Sequence, residues 1–223
     1  MGRPRLRLAL GAALPIALAA LASATVAAGA EGGHPRIPDD AEFHAGETVS
    51  GVAFERATPE GLAHPFVRGT ETVDAPCAQV RDVLTSFDRY AALFSGVVRT
   101  ATVLAKTDSS ARVHFVYAFP WPLRDRDAIV GYSVSAAGAG GFTLEWHDDA
   151  RAGDPAKGVR ITHVEGRTRM APDGASCRVA YTYYGELGID LGKSFAEKEY
   201  REEPIAYFEA IRKGLRTPPG QGR

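Results

Sequence analysis

Cysteine is scarce in this chain of 223 residues: there are two, Cys77 and Cys177, 100 positions apart. Neither stands in a Cys-x-x-Cys or Cys/His spacing, so the sequence offers no zinc site. An excess of charge of one sign is missing too, with 26 basic side chains against 27 acidic. That argues against a nucleic-acid binder, whose footprint is basic, and against a polybasic membrane-surface module. No apolar run reaches the roughly 20 residues needed to cross a bilayer as a helix. There is no G-x-S-x-G elbow, no P-loop and no G-x-G-x-x-G; Gly138, Gly140 and Gly141 lie in a turn between strand-like segments, not ahead of a helix. Internal repeats are absent as well.

What is present begins with an export signal. Arg3, Arg5 and Arg7 lead, no acidic residue precedes Glu31, and residues 8–21 form an apolar run of 14 residues with Pro15 inside it. Small-x-small exits follow at Ala22-Ser23-Ala24 and Ala28-Gly29-Ala30, the second being the favoured cleavage site. Residues 1–30 are thus expected to be a cleaved signal peptide, and the mature protein periplasmic or secreted. No cysteine follows either exit, which argues against a lipid-modified anchor. Without the three arginines, 23 basic and 27 acidic side chains remain, a net charge of −4. In an exported protein an even pair of cysteines suggests a disulfide.

The expected organisation is a flexible leader over 31–46, one domain over 47–216 and a disordered tail over 217–223. Strands are predicted over 49–56 and 66–73. Asp74 stands where a helix N-cap belongs, with Pro76 in the first turn, and Val80, Val83, Leu84 and Phe87 follow at helical spacing. A second short helix carries Tyr90, Leu93 and Phe94, ending at Gly96. The period then becomes strand-like over 97–106, 111–119, 127–135, 142–147, 159–170 and 176–187, with turn residues between. Six antiparallel strands joined this way make a meander. A final helix carries Phe195, Ile205, Phe208, Ile211 and Leu215 on one stripe, with Pro204 expected to kink or restart it.

The stretch Val73-Asp74-Ala75-Pro76, with Val80, Val83-Leu84, Phe87-Asp88 and Tyr90, resembles the opening of START and polyketide-cyclase-like helix-grip domains. Pro120-Trp121-Pro122 with Arg126-Asp127 resembles the START branch, as does the run from Gly192 through Pro204 to Leu215. The resemblance covers roughly residues 47–216. It implies an α+β helix-grip fold: a curved antiparallel sheet wrapped around a long C-terminal helix, with a cavity for a lipid, sterol or similar apolar ligand between them. Fold alone does not fix function.

Within that frame the alternating residues Phe115, Tyr117, Tyr132, Trp146, Tyr181 and Tyr183 are the expected walls, with His163 on the same surface. Each could equally fill a solid core. The resemblance also implies that Arg126 lies in the cavity, paired with an acid such as Glu145 or Glu165; a structural ion pair among Arg124, Asp125, Arg126 and Asp127 is the alternative. In helix-grip sheets the strand before the first helix pairs with the last strand, which would bring Cys77 to Cys177, unless both are free thiols. His163 and Glu165, two apart, could serve acid–base chemistry, but nothing in the spacing makes a third group converge on them.

The function expected is therefore an exported binder and carrier of an apolar small molecule, with residues 187–194 as a hinge for the C-terminal helix. No cofactor, metal or nucleic acid is expected. Transient membrane contact and a monomeric state are. The rivals are a helix-grip enzyme of the polyketide cyclase/aromatase type, and an interaction module whose cavity is filled by its own side chains.

Overall fold

The structure, a computed structural model, describes residues 37–62, 64–119, 121–161, 163–186 and 193–217, the last from 193 to 199 as helix only. All belong to one compact unit, His34–Arg223. The signal-peptide reading, the 187–194 hinge apart from its last two residues, the Phe195 side chain, and the tail beyond Thr217 lie outside the described residues.

The chain enters the sheet through a hairpin, β1 (His44–Val49) and β2 (Val52–Ala57), reversed at Ser50 and Gly51, both at positive φ. β3 (Phe66–Val73) follows, then α1 (Cys77–Leu84), a 3-10 turn over Phe87–Arg89 and the single turn α2 (Tyr90–Leu93). Next come β4 (Val98–Lys106), β5 (Ser110–Tyr117), β6 (Arg126–Ala136), β7 (Phe142–Asp148), β8 (Val159–Arg160), β9 (Val164–Asp173) and β10 (Ser176–Gly185). α3 (Lys193–Arg216) ends the fold. The sheet order is β1-β2-β3-β10-β9-β7-β6-β5-β4, antiparallel throughout, with β8 attached in parallel to β6. From β4 to β10 the predicted meander is present, and β3 pairs with β10 as helix-grip topology requires.

Several expectations are corrected. The sheet starts before residue 47: a 3-10 turn at Asp40–Glu42 and the first half of β1 lie in the stretch expected to be a flexible leader. Asp40 holds that stretch down, accepting from Arg68 Nη2 at 2.6 Å and from Arg169 Nη1 at 3.0 Å. Phe43 is buried with Ala57, Phe66 and Tyr184 in a small cluster on the outer face of the sheet, and the Arg68 guanidinium stacks 3.7 Å from its ring. The predicted strand over 49–56 is two strands, because Ser50-Gly51 turns the chain. That over 159–170 is also two: β8 pairs with β6, whereas β9 pairs with β7. Asp74 is not the helix cap; α1 begins at Cys77 behind Pro76, which supplies φ −58° and ψ 142°. α3 runs unbroken through Pro204.

Packing explains why α3 lies where it does. Tyr207, Phe208, Ala210 and Ile211 are buried against the concave face of the sheet. At Gly69 on β3 a Cβ would come 2.8 Å from Pro204 Cβ and 3.0 Å from Val52 Cγ1. Only a residue without a side chain lets the helix approach this closely. At the other end Arg212 Nη1 reaches Glu71 Oε1 at 2.5 Å. Cys77 and Cys177 are disulfide-bonded with Cα atoms 4.9 Å apart, and Cys177 stands opposite Val73 in the β3–β10 register.

The convex face of β5 and β6 carries a buried polar cluster beneath the chain that leads into β8. Asp127, fully buried, accepts from His114 Nε2 at 2.9 Å and from Arg160 Nη2 at 2.8 Å through one oxygen, Oδ2. Arg112 and Arg151 gather Asp149 and Asp154 beside it. Burial pushes the Asp127 carboxyl up, but hydrogen bonds from Arg160 and His114 with the Arg160 charge together hold it below the ordinary value. A carboxyl depressed in the folded state stabilises the fold above its unfolded value of roughly 4 and loses that contribution as pH falls through the folded value. The unfolding free energy of the wild type should accordingly fall more steeply below about pH 4 than that of Asp127→Asn. Denaturant titrations at stepped pH give the comparison, and parallel curves would refute it.

Candidate functional site

Strand parity assembles the site. On β5, Phe115 and Tyr117 point into the concave side; on the same face β6 offers Val130 and Tyr132, β7 Leu144 and Trp146, and β10 Tyr181 and Tyr183. All six aromatic residues expected as walls line one cavity between the sheet and α3. Tyr90 and Phe94 from the helical segment close one side, and Glu203 and Tyr207 from α3 form the roof. The rings are in mutual contact. Tyr181 stacks on Trp146 at 5.5 Å and on Tyr207 at 3.7 Å, and Tyr132 lies 4.4 Å from Phe87. So much of the interior is ring that the free space is about 150 Å³. A cavity on the order of that volume takes one benzene.

A close approach of backbone to indole fixes the Trp146 ring. Gly166 on β9 is its cross-strand partner, and a Cβ there would fall within the van der Waals surface of the indole. Tyr90 is held by its hydroxyl donating to Leu84 O at 2.6 Å, and Tyr207 shares a hydrogen bond of 2.7 Å with Thr168 Oγ1.

Two expected members lie elsewhere. His163 is not in the wall: its Nδ1 is 3.1 Å from Glu186 Oε1 and its ring 4.9 Å from Tyr184, whose side chain belongs to the outer cluster. The reason is the break between β8 and β9, across which strand alternation cannot be carried. Arg126 is buried, cross-strand from Tyr117, but does not line the cavity. Its Nη1 donates to Arg124 O at 2.7 Å and its guanidinium lies 5.0 Å over Phe119. Glu145 takes Arg167 Nε at 2.7 Å, so that candidate partner is committed to a different cation. Asp127 belongs to the convex cluster, and Glu165, next to cavity-lining Val164, takes the opposite face.

Glu203 and Tyr207 are the members that sequence reasoning missed. Stepping back along α3 from buried Ile211 by four residues gives Tyr207, and by eight gives Glu203. A carboxylate on a buried helical stripe was the available signal. The Tyr181 hydroxyl donates to Glu203 Oε1 in a short hydrogen bond. Burial first, and the Glu203 charge as a further cause, raise the pKa of Tyr117, Tyr132, Tyr181 and Tyr207. All four phenols therefore stay neutral donors near neutral pH. Among the described residues no group of three His, Cys, Asp or Glu is arranged to hold a metal.

An outer groove adjoins the cavity. Phe94 and Val97 line both, while Leu93, Ala206, Arg212 and Lys213 line the groove alone. Lys213 Nζ bridges it, donating to Ala92 O at 2.6 Å and Ser95 Oγ at 3.2 Å. On the next loop at this end of the sheet Trp121 is 93% exposed.

No family model matches the sequence, and no curated protein matches it. Solved structures do resemble it. A STAR-related lipid transfer protein fragment from Xanthomonas axonopodis superposes with a TM-score of 0.71 at 22% identity, over 79% of this chain and 99% of that one. Human STARD10 gives 0.68 at 17% identity, over 83% of each chain. The Zhui aromatase/cyclase of Streptomyces sp. R1128 gives 0.51 at 17% identity, over 71% of this chain and 98% of that one. At these identities the likeness establishes architecture: the chain has the START-type helix-grip fold.

Proposed function

We propose that this protein is an exported carrier that takes an apolar small molecule into the cavity between the sheet and α3 and releases it unchanged. The observation that carries the reading is the wall itself, built of aromatic rings and aliphatic side chains, with tyrosine hydroxyls and one carboxylate to orient a guest. Support also comes from the fold, shared with two proteins whose names mark them as lipid transfer or START-related. The N-terminal signal and the disulfide both suit an oxidising compartment outside the cytoplasm.

A whole sterol or acyl chain exceeds the ring-sized free space. The Phe94–Val97 partition is the place where cavity and groove can merge, and Lys213 is the tie that opposes it. Trp121 gives this end of the molecule an aromatic contact suited to a membrane–water interface. Substituting Trp121→Ser should slow exchange of ligand with lipid vesicles while leaving the fold intact.

The experiment that tests the function is native mass spectrometry of protein purified from its own envelope, followed by extraction of what is bound. A stoichiometric apolar compound supports the carrier reading. A protein that arrives empty and takes up no member of a lipid panel refutes it and leaves the interaction module, whose filled interior the small free volume also suits. A bound compound that is turned over on incubation would point to cyclase or aromatase chemistry of the kind named for the Streptomyces neighbour.

A further inference from the structure

A second groove is cut between the end of α1, Phe87 and the β4–β5 hairpin, with a free space of about 430 Å³. Val97 and Lys106 stand at opposite ends of β4, so along that strand the outer groove beside Phe94 and this one are about 30 Å apart. Tyr132 lines both the cavity and the second groove. Its ring packs 4.4 Å from Phe87, which lines the groove but not the cavity, so these two rings form the partition. Other wall tyrosines are fixed by their hydroxyls: Tyr90 to Leu84 O, Tyr181 to Glu203, Tyr207 to Thr168. Tyr132 makes no hydrogen bond among the described residues and is held by contacts with Phe87, Phe115 and Trp146. Its cross-strand neighbour on β5 is Ala111, whose small side chain leaves room on the groove side. Turning this ring outward costs packing but breaks no hydrogen bond. A cation ties the groove across. Lys106 Nζ donates to Thr85 O at 2.9 Å and lies 5.8 Å over the Phe87 ring, with no acidic partner among the described residues. An exposed bond of this kind opens at little cost.

Resting on the carrier reading above, we propose that this groove is a second portal to the cavity. Tyr132 swings outward over Ala111, Lys106 releases Thr85, and small apolar guests dispersed in water pass at the end of the sheet opposite to Trp121. None of the three moving side chains (Phe87, Lys106 and Tyr132) belongs to α3, so a ring-sized guest crosses here without displacing the helix. The two ends also differ in chemistry. Trp121 and Val97 expose apolar surface at one end. At the other, Thr85, Asp108, Ser110 and Ser135 join Arg81 and Lys106 around the groove, a lining that stays wetted.

The test uses the mature protein, whose two cysteines are bonded to each other, so that one introduced thiol can be labelled alone. Three variants are biotinylated through a maleimide and capped with streptavidin: Ala136→Cys in this groove, Glu209→Cys in the outer groove, and Ala150→Cys in the loop after β7 as the control. Stopped-flow fluorescence follows uptake of N-phenyl-1-naphthylamine, a neutral probe built of rings. The Ala136→Cys cap should slow uptake by about twofold or more, the Glu209→Cys cap should leave a residual rate, and the Ala150→Cys cap should change nothing. Lys106→Ala should speed uptake and release alike, by about fivefold, with affinity unchanged, because untying the partition alters rates and not the bound state. A merely structural role for Lys106 would move stability or affinity instead. An uptake rate that the Ala136→Cys cap slows no more than the control cap does overturns the proposal, as does complete arrest by the Glu209→Cys cap; the carrier reading survives both. Uncapped protein that takes up neither the probe nor any neutral lipid ends the carrier reading and the portal with it.

Discussion

Reduction of the Cys77–Cys177 bond should lower the unfolding free energy by about 4 kcal/mol. The bond closes a loop of 100 residues, and cross-linking so long a loop removes much of the entropy of the unfolded chain. The bond also joins the start of α1 to β10 at the point where β10 pairs with the end of β3, so it ties the helical cap to the centre of the sheet. Urea titration with and without reductant, alongside a Cys77→Ala/Cys177→Ala variant, measures the effect. Both should move the midpoint in the same direction by similar amounts. Unfolding free energies unchanged to within about 1 kcal/mol would mean that the native contacts alone hold α1 in place.

Gly166→Ala is the second substitution expected to have a large effect, and it acts on the site as well as on stability. The added methyl would occupy space now filled by the Trp146 indole and would also sit 2.7 Å from Thr182 O on the neighbouring strand. Overpacking a closed interior costs roughly 1–3 kcal/mol. The cheapest relief is rotation of the indole away from β9, and the open volume available to it is the cavity. The variant should therefore fold with reduced stability and bind ligand weakly or not at all. A crystal structure with Trp146 turned into the cavity would confirm the route. Unchanged affinity would show that the indole had moved without filling the site.

These expectations draw on features of unequal visibility in the sequence. The walls were legible because Phe115 and Tyr117, Tyr132, Trp146, and Tyr181 and Tyr183 each follow strict alternation on a well-marked strand, and the helix-grip resemblance said which face was inward. His163 is misplaced by alternation carried from β8 to β9, which pair with different strands. The anchoring of Asp40 left no local signal: its partners Arg68 and Arg169 are distant in sequence, and a short polar stretch rich in Gly and Pro reads as leader until they are known. Glu203 was overlooked for a different reason. A stripe read from apolar residues runs through Ile205, Phe208, Ile211 and Leu215 and passes over a carboxylate. In the fold Ile205 and Leu215 are only half-buried, whereas Tyr207 and Phe208 are fully packed.

The open sheet leaves two edges, β1 and β4, and neither is an uninterrupted strand. β1 slips register between Ala45 and Thr48, and β4 does so twice, between Val98 and Thr100 and between Val103 and Ala105. Each slip turns backbone donors and acceptors out of line, so a second chain laid along the edge would find only short stretches to pair with. Such interruptions disfavour amyloid-like growth, a useful property for so strand-rich a protein.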